Sequence, residues 1–340
     1  MLAAVLSAPG RLDLVEHPEA PEPGPGQALV AVRRVGICGT DYHAFGGTQN
    51  FISYPCLLGH ELAVEVLEVG PEVTDVAPGA LCAVLPYLSC GTCPPCARGR
   101  TNCCERIEVL GVTRPGGLRE RMVVPARLLF GAAGLTLDQL VLVETLGIGW
   151  HAVARGQPNP ADTALVLGAG PIGLAVAQSL RSRVKRVLVA DVSPHRADFA
   201  AAAGLESLVV GENFDARLAE HTEGVLPSLV FDASGSSASM EAAFALVGTG
   251  GTLVFVGHTP GPLTFRNPIF HALELDLRAS RNATPADWHQ VIGAIQEGFL
   301  DAEGWINHRT TLQGVVDSLP LLAASPGGVV KAVVEIGSSS

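Results

Sequence analysis

The sequence predicts an α/β protein in which a β-rich first domain precedes a domain built on a doubly wound parallel sheet. Three observations lead to this fold class. The 340 residues are 48% apolar and 16% charged, which is typical of a compact chain long enough for two cores. Short β-branched runs closed by glycine and proline fill the first half, whereas strands alternate with helices beyond Ala161. A glycine-rich turn also opens the first helix of this second part.

The first half holds strand candidates at 27–35, 63–69 and 80–85, which end at turn residues such as Pro71 and Pro78-Gly79. In the second half the strand candidates are 165–167, 187–190, 208–210, 229–231, 253–256 and 275–277. Helical stretches at 172–180, 194–203 and 238–246 separate most of them. We therefore expect a β-rich domain over 1–146, a doubly wound domain over 147–282, and a final segment, 283–340, that returns to the first domain through a strand at 329–335.

The net charge of −11 and a pI near 5.3 argue against nucleic acid or an anionic membrane as a partner. The apolar start has no cationic segment before it, so we expect no signal peptide and a cytoplasmic protein. Residues 163–180 lack charge, but Gly168, Gly170, Pro171 and Gly173 interrupt them, and this favours a strand, turn and helix over a membrane span.

The segment Gly168-Ala-Gly170-Pro171-Ile172-Gly173 follows an apolar strand and opens a helix. In this strand-turn-helix context a glycine-rich motif indicates a dinucleotide-binding site. These glycines permit a tight turn, close approach of a pyrophosphate and close packing of helix on strand, while the helix start supplies free N–H donors. Asp191 ends the next strand and is placed to accept hydrogen bonds from the adenosine ribose, which favours NAD over NADP. Arg196, one helical turn further on, is a candidate neighbour of the adenine.

Eight cysteines without a secretory signal favour metal binding over disulfides, and five of them cluster in a lobe at about 88–106. Four thiolates at Cys90, Cys93, Cys96 and Cys104 can surround one zinc ion with no open position, so this zinc would be structural. The adjacent Cys103 is the other candidate for the fourth ligand.

Three further pieces carry metal-ligand chemistry: the segment 36–43, which contains Cys38, the pair His60-Glu61, and Glu144. Each is weak alone, but together they offer a thiolate, an imidazole and carboxylates for a zinc site with an exchangeable position. Asp41 is placed to accept a hydrogen bond from the non-ligating nitrogen of His60. Alternatively, Asp41 has only a structural role and caps a turn.

These motifs, in order GICGTD, GHE, CGTCPPC, NCC, VLGV, GGLRE and VLGAGPIGL, resemble the zinc-containing medium-chain dehydrogenase/reductase superfamily over nearly the whole chain. The sorbitol, threonine and sugar-acid dehydrogenase branch is the most similar. The resemblance implies a GroES-like catalytic domain, a Rossmann domain and an active site in the cleft between them. It implies Cys38, His60 and Glu61 as ligands of a catalytic zinc, Glu144 as a further ligand or a partner through water, and Cys104 as the fourth structural ligand.

The same resemblance implies that Thr40 and His43 relay the substrate proton to water. Simple alcohol dehydrogenases have a cysteine at the position of Glu144, and this departure points to the polyol branch. We therefore expect NAD-linked oxidation of a secondary alcohol of a small polyol, sugar or sugar acid to a ketone, or to a lactone from an aldose. Arg281 is a candidate for binding a substrate carboxylate or hydroxyl. The resemblance also implies that copies of this chain form homodimers or homotetramers.

Two other functions fit the same fold. A zinc-free quinone or enoyl reductase would have no use for the cysteine, histidine and glutamates together. A non-catalytic NAD-binding regulator would keep the nucleotide motif, because fold alone does not settle function. The complete set of candidate zinc ligands argues against both.

Overall fold

The computed structural model describes residues 1–324 and 326–337, and the chain divides into two compact units. Unit 1 comprises Met1–Glu144 and Thr284–Ser340, and unit 2 comprises Thr145–Ala283.

The strands in chain order are β1 (Leu2–Ala8), β2 (Arg11–Glu16), β3 (Gln27–Ile37), β4 (Cys56–Leu57), β5 (Glu61–Val69), β6 (Leu81–Val84), β7 (Tyr87–Leu88), β8 (Glu108–Val109), β9 (Arg121–Pro125), β10 (Leu129–Gly131), β11 (Thr163–Leu167), β12 (Arg186–Asp191), β13 (Glu206–Val209), β14 (Leu229–Asp232), β15 (Thr252–Phe255), β16 (Asp276–Ala279), β17 (Ile306–Thr311) and β18 (Lys331–Glu335). The α-helices are α1 (Gly39–Phe45), α2 (Pro94–Ala97), α3 (Leu137–Gly156), α4 (Pro171–Leu180), α5 (Pro194–Ala202), α6 (Phe214–His221), α7 (Ser237–Ala243), α8 (Asn267–Ala272), α9 (Pro285–Gln296) and α10 (Val315–Ala324).

Unit 1 is organised around a mixed sheet with the order β10-β6-β5-β3-β18-β17, in which β9 also pairs with β3. The sequence predicts antiparallel strands here, and the pairs follow that pattern except for β17 and β18, which are parallel. The exception has a simple cause, because helix α10 connects these two strands and returns the chain in the same direction.

The register at the end of β3 determines where the candidate ligands lie. Gly36 is opposite Glu61 on β5 and, on its other side, opposite Val333 on β18. Ile37 is opposite Ala332, so Lys331 enters β18 at the level of the end of β3. Residues that are far apart in the chain therefore meet at one end of this sheet.

Unit 2 contains a parallel sheet of six strands with the order β13-β12-β11-β14-β15-β16, which confirms the predicted doubly wound sheet. Its central strands are buried on both faces, as the continuous apolar sequence of β11 and β14 requires, since helices cover such a sheet on both sides. The charge-free stretch that includes residues 163–180 forms β11, the glycine turn and α4. Among the described residues, none of the helices combines the length and the apolar character needed to cross a bilayer.

Candidate active site

Four cysteine side chains of unit 1 converge as the sequence predicts. The sulfur atoms of Cys90, Cys93, Cys96 and Cys104 lie within 4.8 Å of one another, with Cys93 Sγ 3.4 Å from Cys96 Sγ and 3.8 Å from Cys104 Sγ. Backbone N–H groups point at these sulfurs: Cys90 N–H donates to Cys104 Sγ at 3.3 Å, and Cys93 N–H donates to Cys90 Sγ at 3.4 Å. Cys103 does not belong to this described cluster.

The N–H donors favour the thiolate over the thiol. Backbone N–H groups of Thr92 and Cys93, followed by the Arg106 side chain, lower the pKa of Cys90 to about 5. Four sulfur ligands that already lie together fit the tetrahedral preference of zinc and leave no position for a substrate.

A second ligand cluster lies at the end of β3. Cys38, His60 and Glu61 place a sulfur, a ring nitrogen and a carboxylate oxygen within 4.8 Å of one another. Pairing of β3 with β5 brings them together, and Gly36 makes room, because a Cβ at this glycine would lie 2.0 Å from Glu61 Oε2. Thiolate, imidazole and carboxylate form a donor set that fits zinc.

Glu144 is buried in α3 and does not join that 4.8 Å group. The hydroxyl of Tyr87 donates a hydrogen bond to Glu144 Oε1. Burial raises the pKa of Glu144; the charge of His60 opposes this rise and the carboxylate of Glu61 adds to it. Burial, followed by the Glu144 carboxylate, also holds the pKa of Tyr87 well above its ordinary value, so Tyr87 stays a donor.

Glu61 already has a strong partner in unit 1. Both of its carboxylate oxygens lie 2.7 Å from Lys331 Nζ, and the two side chains are only 1% and 2% exposed. Burial by itself lowers the pKa of Lys331, but the negative charges of Glu61 and Cys38 outweigh it, and the net pKa is raised. Lys331 is therefore a charged ammonium inside the cluster.

Asp41 caps the first turn of α1, with Oδ2 accepting a hydrogen bond of 2.9 Å from Cys38 N–H. The predicted hydrogen bond to His60 is not made, because Asp41 Oδ1 stands 3.9 Å from His60 Nδ1. Both atoms are buried and have no hydrogen-bond partner among the described residues. The capping bond fixes the carboxylate at this separation.

The two candidate relay residues differ in exposure. Cys38 Sγ lies 3.8 Å from the Thr40 hydroxyl, which places Thr40 at the metal-ligand cluster. His43 is exposed on α1, and its Nδ1 lies 3.0 Å from Thr48 Oγ1. Arg281 follows β16 in unit 2 and is exposed.

The predicted nucleotide-binding residues lie together in unit 2. Gly168 has a φ of +95°, and Gly170 caps α4 ahead of Pro171 and Ile172. A Cβ on Gly173 would lie 1.7 Å from the carbonyl oxygen of Gly168, so this position requires glycine.

Beside this turn, a cavity of about 650 Å³ is lined by Gly168, Gly170, Asp191, Arg196 and Ser234. Asp191 also holds the turn in place, since its Oδ2 accepts 2.7 Å from Ala169 N–H and its Oδ1 accepts 2.8 Å from Ser193 N–H. Carboxylate oxygens have further acceptor capacity for ribose hydroxyls.

Sequence reasoning missed two residues of the cluster. Lys331 is one of only two lysines in the chain and interrupts an apolar run, Val-Val-Lys-Ala-Val-Val, which is an unusual place for a lysine. Tyr87 precedes the cysteine cluster, and nothing in the sequence around it indicates a contact with Glu144.

Comparison with known proteins agrees with this arrangement. Residues 24–133 match the family described as alcohol dehydrogenase GroES-like domain, and residues 171–297 match zinc-binding dehydrogenase. L-galactonate-5-dehydrogenase of Escherichia coli K12 is 42% identical over 294 residues, which are 86% of this chain and 86% of that protein. D-altritol 5-dehydrogenase of Agrobacterium fabrum C58 is 37% identical over 253 residues, or 73% of this chain and 74% of that protein.

Among solved structures, an alcohol dehydrogenase from Escherichia coli CFT073 in complex with NADH gives a TM-score of 0.92 at 30% identity. The match covers 98% of this chain and 99% of that one. These matches confirm the predicted GroES-like and Rossmann-type folds. The protein therefore belongs to the zinc-binding medium-chain alcohol dehydrogenase family and is an NAD-linked dehydrogenase.

Proposed function

We propose that this dehydrogenase oxidises a secondary alcohol of a small polyol or sugar acid to a ketone, using a catalytic zinc held by unit 1 and NAD held by unit 2. The observation that carries the proposal is the buried cluster of Cys38, His60 and Glu61, with Glu144 beside it. Similarity to an L-galactonate dehydrogenase and a D-altritol dehydrogenase supports the substrate class.

In this proposal Cys38, His60 and Glu61 would hold the catalytic metal, with Glu144 as a further ligand or a partner through water, and Cys90, Cys93, Cys96 and Cys104 would hold the structural metal. Zinc, when bound at the first site, supplies Lewis-acid polarisation of the alcohol oxygen. The side chains of unit 1 carry out the proton transfer.

Thr40 acts first on the substrate proton, since its hydroxyl lies at the cluster and can accept one proton while donating another. His43 is the outer member, because its exposed ring exchanges protons with water. The glycine turn at 168–173 binds the pyrophosphate and Asp191 the adenosine ribose, which together hold NAD for the redox step.

Metal content and turnover test the proposal together. We expect a catalytic and a structural zinc in each wild-type chain, and loss of the catalytic one in Cys38→Ser. NADH should form with L-galactonate, D-altritol or a related polyol or aldonate, and Glu144→Ala should lower its rate. The matched control is Cys56→Ser, because this cysteine lies outside both clusters in the described chain. No loss of zinc in Cys38→Ser, with no NADH from any substrate, would refute the proposal.

We also propose that copies of the chain associate as dimers or tetramers and that the protein works in the cytoplasm. Strand β16 is at an edge of the described unit 2 sheet and exposes Leu277 at 41%, which is the kind of edge that a second copy can cover. A monomeric mass by light scattering would exclude the assembly.

The unpaired state of the cysteines supports a reducing compartment.

A further inference from the structure

We infer that Thr48 is a positioning residue for the proton relay: it holds the ring of His43 in the tautomer that carries hydrogen on Nδ1, and so leaves Nε2 to accept the substrate proton. The inference rests on the proposed function, in which His43 is the outer member of the relay. It deepens that proposal by stating which ring nitrogen accepts the proton and what selects it.

The end of helix α1 brings the two residues together. Gly47 has a φ of +73°, a backbone conformation that favours glycine, and it turns the chain directly after the helix. Gly47 N–H donates to the carbonyl oxygen of Ala44 at 3.1 Å, and Thr48 N–H donates to that of His43 at 2.9 Å. These two bonds form a Schellman motif, which is a common end of a helix. The backbone of α1 and its cap therefore place Thr48 beside His43.

The Thr48 hydroxyl makes two contacts with His43. Thr48 Oγ1 lies 3.0 Å from His43 Nδ1 and 3.3 Å from the carbonyl oxygen of His43. A carbonyl oxygen can only accept, so the single hydroxyl proton serves the carbonyl, and the hydroxyl oxygen then accepts the hydrogen of Nδ1. If the hydroxyl donated to Nδ1 instead, the carbonyl contact would have no proton. Only the tautomer with hydrogen on Nδ1 satisfies both contacts.

This tautomer suits the terminal base of a proton relay. A neutral imidazole has one N–H donor and one acceptor nitrogen, and the hydrogen bond at one nitrogen fixes the role of the other. With Nδ1–H bound to Thr48, the lone pair of Nε2 accepts the incoming proton, and the imidazolium then releases a proton from Nε2 to water. The bond to Thr48 stays in place throughout. In the other tautomer the proton could bind only at Nδ1, after the Thr48 hydroxyl had turned away.

The first measurement determines the tautomer directly. NMR of the zinc-loaded protein with isotope-labelled histidine distinguishes Nδ1–H from Nε2–H by the chemical shifts of the ring nitrogens, in alkaline buffer that keeps an ordinary histidine neutral. The His43 signals are those missing from the spectrum of His43→Gln. We expect the Nδ1–H form in the wild type, loss of this preference in Thr48→Val, and its return in Thr48→Ser. Predominance of Nε2–H in the wild-type protein would overturn the inference.

The second measurement is the rate of NADH formation in a single turnover with L-galactonate or D-altritol. Both side chains are exposed, so water can replace the lost bond. We therefore expect Thr48→Val to slow this step by roughly threefold to tenfold, the scale of one net hydrogen bond between neutral groups. Thr48→Ser keeps the hydroxyl and should react at the wild-type rate. A wild-type rate in Thr48→Val, or an equally slow rate in Thr48→Ser, would overturn the positioning role.

Thr74→Val is the matched control, because it makes the same substitution at another exposed threonine of unit 1, whose hydroxyl donates to Asp75 Oδ1. We expect it to leave the His43 tautomer and the rate unchanged. Zinc content and NADH affinity are measured in every variant. Zinc loss in a slow Thr48→Val would overturn the inference, since the substitution would then act through the fold.

Failure of the proposed function has a different result. The wild-type protein would then form no NADH from any polyol or aldonate. The tautomer measurement needs neither substrate nor turnover, and it still decides whether Thr48 selects the nitrogen of His43 that carries the hydrogen.

Discussion

Substitution of Gly173 by alanine should abolish tight binding of NADH while unit 1 stays folded. The new Cβ would lie 1.7 Å from the carbonyl oxygen of Gly168, and real Cβ atoms essentially never approach other atoms closer than 3.0 Å. The turn and the start of α4 must therefore separate by about 1.3 Å. A shift of this size moves the N–H donors out of hydrogen-bond range of a pyrophosphate.

The expected loss follows from those donors. Hydrogen bonds to a charged group contribute about 1.5–3 kcal/mol each, so loss of one or two lowers affinity by roughly 10-fold to 10,000-fold. Fluorescence titration with NADH measures this directly. Gly293→Ala is the control, because a Cβ there meets nothing within 4 Å and the residue lies in α9 of the other unit. NADH affinity in Gly173→Ala within threefold of the wild type would refute the close-packing argument.

Three other outcomes are expected. Cys104→Ser should lose the structural zinc and melt at a lower temperature, by about 2–4 °C for each kcal/mol of unfolding free energy that is lost. Cys103→Ser should keep this zinc, and equal zinc contents in the two variants would contradict the ligand assignment. Asp191→Ala should weaken the binding of NAD more than that of NADP, since the carboxylate favours a free 2′-hydroxyl. An unchanged ratio of the kcat/KM values for NAD and NADP would show that Asp191 does not contact the ribose. Asp138→Asn tests pH dependence: the hydrogen bond from Arg309 lowers the pKa of Asp138 below its ordinary 3.8, so its stabilisation is present above that pH and is lost as pH falls through the lower, folded-state value. Because Arg309 is 43% exposed, the wild-type advantage in the free energy of unfolding by urea should be at most about 1 kcal/mol at pH 7. It should disappear once the pH falls below the folded-state pKa of Asp138, and an advantage that does not decline as the pH falls would contradict this.

The parts of this protein whose chemistry is local can be predicted from the sequence alone. The glycine turn at 168–173 can be interpreted from a short segment because tight turn, helix start and close packing all involve neighbouring residues. The cysteine cluster is similar, since its ligands lie within 15 consecutive positions, 90–104. The strands of unit 2 were also predictable, because buried parallel strands have continuous apolar sequence that ends at turn residues.

The surroundings of the Cys38, His60 and Glu61 cluster depend on the tertiary structure. Glu61 and Lys331 are 270 positions apart, and Glu144 and Tyr87 are 57 apart, so no local pattern connects them. Strand order and register alone bring β18 to the other side of β3 from β5 and leave Gly36 as the crossing point. The separation of 3.9 Å between Asp41 and His60 likewise depends on how the first turn of α1 is capped. Sequence therefore indicated which residue types serve the metal, and the sheet determined which carboxylate is held by a lysine and which by a tyrosine, because electrostatic partners in a buried site are set by three-dimensional distance.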